Sequence, residues 1–163
     1  MSISTVRQRA IDRIRQQRIY ITGEVLTLTQ ATAAGWATVP IKTLKDRHVV
    51  ILAAVANLTL TAGSGVTTTQ AGSVAIGTTA LAGGATTLAS TRADVVASTD
   101  AGTTAARVGT AQAANTAAVV ANALVSDVTL NLNVRYAANV SATTTVQVDG
   151  YIDLTTVESV DVL

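Results

Sequence analysis

Few residues of this chain could do chemistry, because it holds one histidine, no cysteine and only ten acidic side chains. His48 precedes the apolar run Val49–Ala56, and its nearest acid in sequence is Asp46. Without a second histidine or a carboxylate cluster nearby, it completes neither a metal shell nor a Ser-His-Asp arrangement. It reads as a structural residue at the start of a buried strand. Asp149 and Asp153 are a carboxylate pair that could in principle flank a glycosidic bond. They fall on a turn and a strand, so solvated carboxylates are the expectation. Gly77, Gly83 and Gly84 match no phosphate loop or dinucleotide fingerprint, and no Gly-Lys-Ser/Thr occurs. These residues predict a protein with no enzymatic activity, no cofactor and no metal.

One constellation stands out, and it is basic. Arg7, Arg9, Arg13, Arg15 and Arg18 are five of the eleven basic side chains, and within the first twenty residues only Asp12 opposes them. The last fifteen residues carry Asp149, Asp153, Glu158 and Asp161 and no base. Arginine offers a planar fork of donors suited to carboxylates and phosphates. Three readings compete. The run could be a solvated helix face. It could contact nucleic acid, although only Tyr20 is near enough to stack on bases. The favoured reading is a docking arm, with Ile11 and Ile14 laid on a neighbour and Arg7, Arg9, Arg13, Arg15 and Arg18 paired with that neighbour's carboxylates. The acidic C-terminal segment of a second copy is a candidate for that neighbour, and such charges set register and association rate.

The elements that must position these residues follow from periodicity. Residues 1–18 are expected to form an amphipathic helix, capped by Ser4 or Thr5, with Val6, Ala10, Ile11 and Ile14 at spacings of three and four. From Ile19 to the end at 163 the pattern predicts a β-rich domain. Tyr20–Thr29 is β-like, with a bend or bulge at Gly23. Trp36–Ile41 is a strand whose Pro40 suggests an edge strand or its end. His48–Ala53 reads as a buried strand, Asn57–Thr61 as an alternating one, and short strands are expected at Ser73–Ile76, near Thr86–Leu88 and at Ala93–Ala97. Residues 103–125 are rich in alanine and predict a helix on propensity, against a Thr-rich irregular segment. Asp127–Tyr136 alternates throughout, which puts Val128, Leu130, Leu132, Val134 and Tyr136 on one face. Thr143–Val148 and Tyr151–Val157 follow, joined by Asp149-Gly150, a hairpin-turn dipeptide. Many short strands with turn signals make the expected fold mainly β, an antiparallel β-sandwich or jelly-roll-like domain with one wet face.

Composition sharpens the expectation. The 163 residues include 30 Ala and 28 Thr, but no Phe, one Trp and three Tyr. A core without large rings forgoes the burial that aromatics ordinarily supply, so extended β pairing and neighbouring subunits are expected to make up the difference. The absence of cysteine fits a reducing cytoplasm. No apolar run approaches the ~20 residues of a membrane helix, and no secretory leader is expected.

The Ala/Thr/Gly-rich middle, Ala80-Leu81-Ala82-Gly83-Gly84-Ala85-Thr86-Thr87-Leu88-Ala89, and the ending, Val134-Arg135-Tyr136 followed by Val146-Gln147-Val148-Asp149-Gly150-Tyr151-Ile152-Asp153-Leu154, resemble those of the small head decoration, or cement, proteins of tailed phages. The resemblance implies a jelly-roll-like homotrimer seated on the major capsid protein at local threefold positions of a virion assembled in the host cytoplasm. It also implies an N-terminal arm reaching adjacent capsomers, and no catalytic residues. Two alternatives remain open. One is a phage fibre or receptor-binding module. The other is a self-assembling shell protein whose arginine arm contacts the genome.

Overall fold

Val, Ile and Thr are stiff at χ1 and fit a pleated surface. A computed structural model of the chain is accordingly built almost entirely from strands. It describes residues 13–31, 34–44, 48–63, 72–82, 87–102, 108–116, 128–136 and 144–159. The strands are β1 (Arg13–Thr27), β2 (Thr29–Ala31), β3 (Ala34–Leu44), β4 (His48–Ala62), β5 (Gly72–Gly77), β6 (Val96–Gly102), β7 (Val108–Thr116), β8 (Val128–Tyr136) and β9 (Thr145–Ser159), with a 3-10 turn at Ser90–Arg92.

Two sheets face each other, in the orders β1-β9-β4-β7 and β2-β3-β8-β5-β6. Four of the antiparallel pairings are nested: β1 with β9, β3 with β8, β4 with β7 and β5 with β6. That is a long hairpin rolled up on itself, the jelly-roll arrangement expected from the sequence. The chain passes from the first sheet to the second at buried Leu28, whose N–H donates to the Thr144 carbonyl at 2.9 Å.

The core lies between the sheets. Leu130, Leu132 and Val134 of β8 meet Leu58 and Leu60 of β4 and Val146, Val148, Ile152 and Leu154 of β9, all buried. The single aromatic in this cluster is Tyr136, and burial pushes its phenol above the ordinary value. Compactness comes from many small, branched side chains, which close-pack in few rotamers.

The bulge foreseen at Gly23 is present. Ile19 and Ile21 point inward before it, and Leu26 and Leu28 after it. The register slips between Ile21 and Glu24, where Gly23 takes φ +62°. An extra residue with left-handed φ is what returns the apolar set to the core face. Beyond Trp36, β3 has no partner on its far side among the described residues, so Pro40 sits on an open edge as read.

Other expectations are corrected. Residues 13–18, read as the end of a helix, open β1 and pair with β9; an isolated short helix is marginal in water, whereas this edge supplies ladder hydrogen bonds at once. Residues 1–12, with Arg7, Arg9 and Ile11, lie outside the described residues. The helix expected over 103–125 is replaced over Val108–Thr116 by β7, hydrogen-bonded to β4; alanine propensity is a weak prior that tertiary pairing overrides. His48–Ala53 and Asn57–Thr61 merge into β4, and Thr87 and Leu88 lie outside any strand. The hairpin at Asp149-Gly150 does not form, because β9 runs straight through it between β1 and β4. Gly150 holds φ +138°, and a Cβ there would collide with the Asn57 carbonyl oxygen. The glycine is present because two strands close on it, not because the chain turns.

Candidate functional site

Each sheet of a sandwich has one face in the core and one outside, and the two outer faces differ. On the second sheet the outer face of β8 carries Asn131 and Asn133, both buried, although alternation predicts a wet face there. Residues 78–82 and 87–95 lie over it as a roof, and Leu81 and Leu88 pack on Ala75, Trp36 and Ala93. Asn133 pins that roof. Its Oδ1 accepts from Thr38 Oγ1 at 2.7 Å and from the Leu81 N–H at 3.0 Å; its Nδ2 donates to the Thr79 and Arg92 carbonyls at 3.0 and 2.9 Å. Asp94 fastens the same segment by accepting from the Thr78 N–H at 2.9 Å and its hydroxyl at 2.7 Å. Sequence reading missed this cluster. The available signal was asparagine in the middle of a strand, where it is ordinarily disfavoured.

Among the described residues, none covers the outer face of the first sheet around Tyr20 and Arg18. Cross-strand partners on one face lie ~5 Å apart, and the register sets Tyr20 beside Tyr151 and Tyr151 beside Asn57, then Arg18 beside Asp153 and Asp153 beside Val55. Tyr20 is 70% exposed, Ile14 68% and Val25 58%. Arg18 ties this surface together. Its Nε and Nη2 donate to the two Asp153 oxygens at 2.7 Å each, and its guanidinium carbon lies 4.0 Å from the Tyr151 ring centroid. Its hydrogen bond with Asp153, and a further one to Tyr20, raise its already high pKa. The Arg18 hydrogen bond in turn holds the Asp153 carboxyl below the usual carboxylate range. Asn57 Nδ2 reaches the Tyr151 hydroxyl at 3.5 Å.

The residues singled out from the sequence fall as follows. Arg13 stands opposite Glu158 in the β1–β9 register, and Ile14, Arg15 and Arg18 are exposed on β1. Arg18 of the basic segment and Asp153 of the acidic one therefore meet within one copy. Asp149 and Asp153 are four residues apart on one strand, which separates their Cα atoms by about 13 Å. Asp149 is engaged by the Gly23 N–H at 2.5 Å and Gln147 Nε2 at 2.7 Å, Asp153 by Arg18. Such a pair is structural and too widely spaced for two carboxyls flanking one bond. His48 opens β4 opposite Ser159. Among the described residues no group of three or more His, Cys, Asp or Glu could hold a metal ion.

Beside the Arg18–Asp153 pair runs a groove of about 340 Å³ lined by Gln16, Gln17, Arg18, Asp153, Leu154 and Thr155. Its polar groups are amide, hydroxyl and one paired ion couple.

No protein-family model matches the chain, and no curated protein matches it. Among solved structures it is similar to part of dimeric latent PorU from Porphyromonas gingivalis, at 13% identity and a TM-score of 0.38. The alignment covers 91% of this chain and 13% of that one. A likeness at that level assigns no function.

Proposed function

We propose that the protein is a non-enzymatic virion structural protein, a capsid decoration protein that binds and stabilises the capsid lattice. The observation that carries this reading is the unequal dressing of the jelly roll. One outer face is covered by the chain's own residues 78–82 and 87–95, while among the described residues the other presents exposed Ile14, Tyr20 and Val25 beside an ordered ion pair. Apolar side chains left open on a rigid sheet suit a module completed by contact with other subunits.

The mechanism is linkage. A module that binds the assembled shell, and not its dissociated subunits, stabilises the shell by mass action. Many copies need only modest affinity each, because bound copies on one lattice act together. In this reading residues 1–12, with Arg7, Arg9 and Ile11, reach a neighbouring capsomer, while Arg13–Arg18 belong to the sheet.

An antibody raised against the purified chain tests it by immunogold microscopy of phage particles released by the organism that encodes the chain. Regularly spaced label over the heads is the expected result. Label confined to fibre tips would move the assignment to a receptor-binding module, the reading that exposed Tyr20 favours. Particles without label would sink both.

A further inference from the structure

The chain has four aromatic side chains, Trp36, Tyr20, Tyr136 and Tyr151. Two of them stand side by side on the open face of the first sheet. A tyrosine left 70% exposed adds little buried apolar area to its own monomer. What surrounds the two rings is unusually fixed for a surface. Arg18 is held at once by both Asp153 oxygens, by Tyr20 and by the Tyr151 ring, so it loses little further freedom when something binds.

The chemistry left over defines the ligand. A guanidinium carries five N–H donors and a carboxylate about four acceptor positions, so the mutual fork leaves N–H groups on Arg18 and a lone pair on each Asp153 oxygen. Donors and acceptors thus stand side by side, which matches vicinal hydroxyls, each able to give and take a hydrogen bond. The pair is internally neutral, and Gln16, Gln17 and Thr155 add no charge, so the site favours an uncharged ligand. A tyrosine ring has a negative face that attracts weakly positive C–H groups, and a sugar ring presents such groups on one side and hydroxyls around its rim. The groove volume lies within the range of small-ligand clefts, roughly 300–1,000 Å³. From Tyr20 through Arg18 to Gln16 the surface extends about 13 Å along β1, longer than one sugar ring.

We propose that the open face around Tyr20, Tyr151, Arg18 and Asp153, with the adjoining groove, is a binding site for a neutral oligosaccharide. This inference stands on the site's own geometry and holds whether or not the protein decorates a capsid.

The test is native affinity electrophoresis of the full chain through gels containing mannan, mixed-linkage β-glucan, xylan or galactomannan, with heparin as the anionic probe. Retardation by at least one neutral polysaccharide is expected. Tyr20→Ala should weaken it about tenfold, Asp153→Asn should weaken it too, and Val25→Ser, elsewhere on the same face, should leave it unchanged. Tyr20 is mostly exposed, so its variant should unfold like the wild type, and a melting curve verifies that. The proposal is overturned if the full chain runs unretarded through every neutral gel or is retarded by heparin alone. Binding that survives Tyr20→Ala in a normally folded variant overturns it equally.

Discussion

The two outer faces of this sandwich have the same pleat and opposite fates. On the second sheet Asn133 is fully buried and spends its amide on four partners, so residues 78–82 and 87–95 are fastened as a roof. On the first sheet Arg18 and Asp153 make a geometrically better pair, a bidentate fork at 2.7 Å, yet remain 45% and 43% exposed. The difference is solvent. A buried amide that loses its partners leaves backbone groups without water, at about 1–3 kcal/mol each, whereas an exposed ion pair is rehydrated when broken. One face is therefore structural, and the other orders side chains that a ligand or partner can use.

Substitutions can break or sharpen that contrast, beginning with the sheet beneath the open face. Gly150→Ala should be the most damaging, about 3–5 kcal/mol by urea denaturation, because its Cβ meets the backbone of β4 at a positive φ. If it proves mild, the open face does not rest on a rigid sheet. Asn133→Ala should cost about 3 kcal/mol, since the Leu81 N–H and the Thr79 and Arg92 carbonyls lose their partner. Hydrogen exchange should rise within 78–82 and 87–95 and not in β9; a uniform rise would mean that the roof is part of the main fold. Leu81→Ala should follow at about 2–3 kcal/mol, the low end for a buried leucine in a small satellite cluster.

The same contrast explains what could be read in advance. The inward face of β8 was legible because strict alternation forces Leu130, Leu132 and Val134 to one side. The bulge was legible because Gly23 interrupts a β-branched run. Asp149-Gly150 misled, since a turn dipeptide and a glycine squeezed between two strands share one spelling, and only the partners β1 and β4 tell them apart. Residues 108–116 misled because alanine carries helix propensity, while the backbone bonds that make them β7 come from β4, some fifty residues upstream. The Arg18–Asp153 site needed the same long-range information. Both residues stood out by charge, but only the β1–β9 register reveals that they meet in one copy.

The smallest expected effect is the one that separates binding from stability. Asp153→Asn removes the acceptor of the Arg18 fork, but the pair is exposed and salt-screened, so the shift in melting temperature at neutral pH should be slight. Its pH dependence carries a definite sign. Arg18 depresses the folded-state pKa of Asp153, so any stabilisation is present above the unfolded aspartate value, near 3.9. It is lost as pH falls through the lower folded value. The difference between wild type and variant should therefore stay flat from neutral pH to about pH 4 and close only in stronger acid. A large difference at neutral pH would show that the open face holds the fold together as the roofed face does. A negligible one leaves Arg18 and Asp153 fixed in place at little energetic consequence to the monomer, as groups kept ready for something outside it should be.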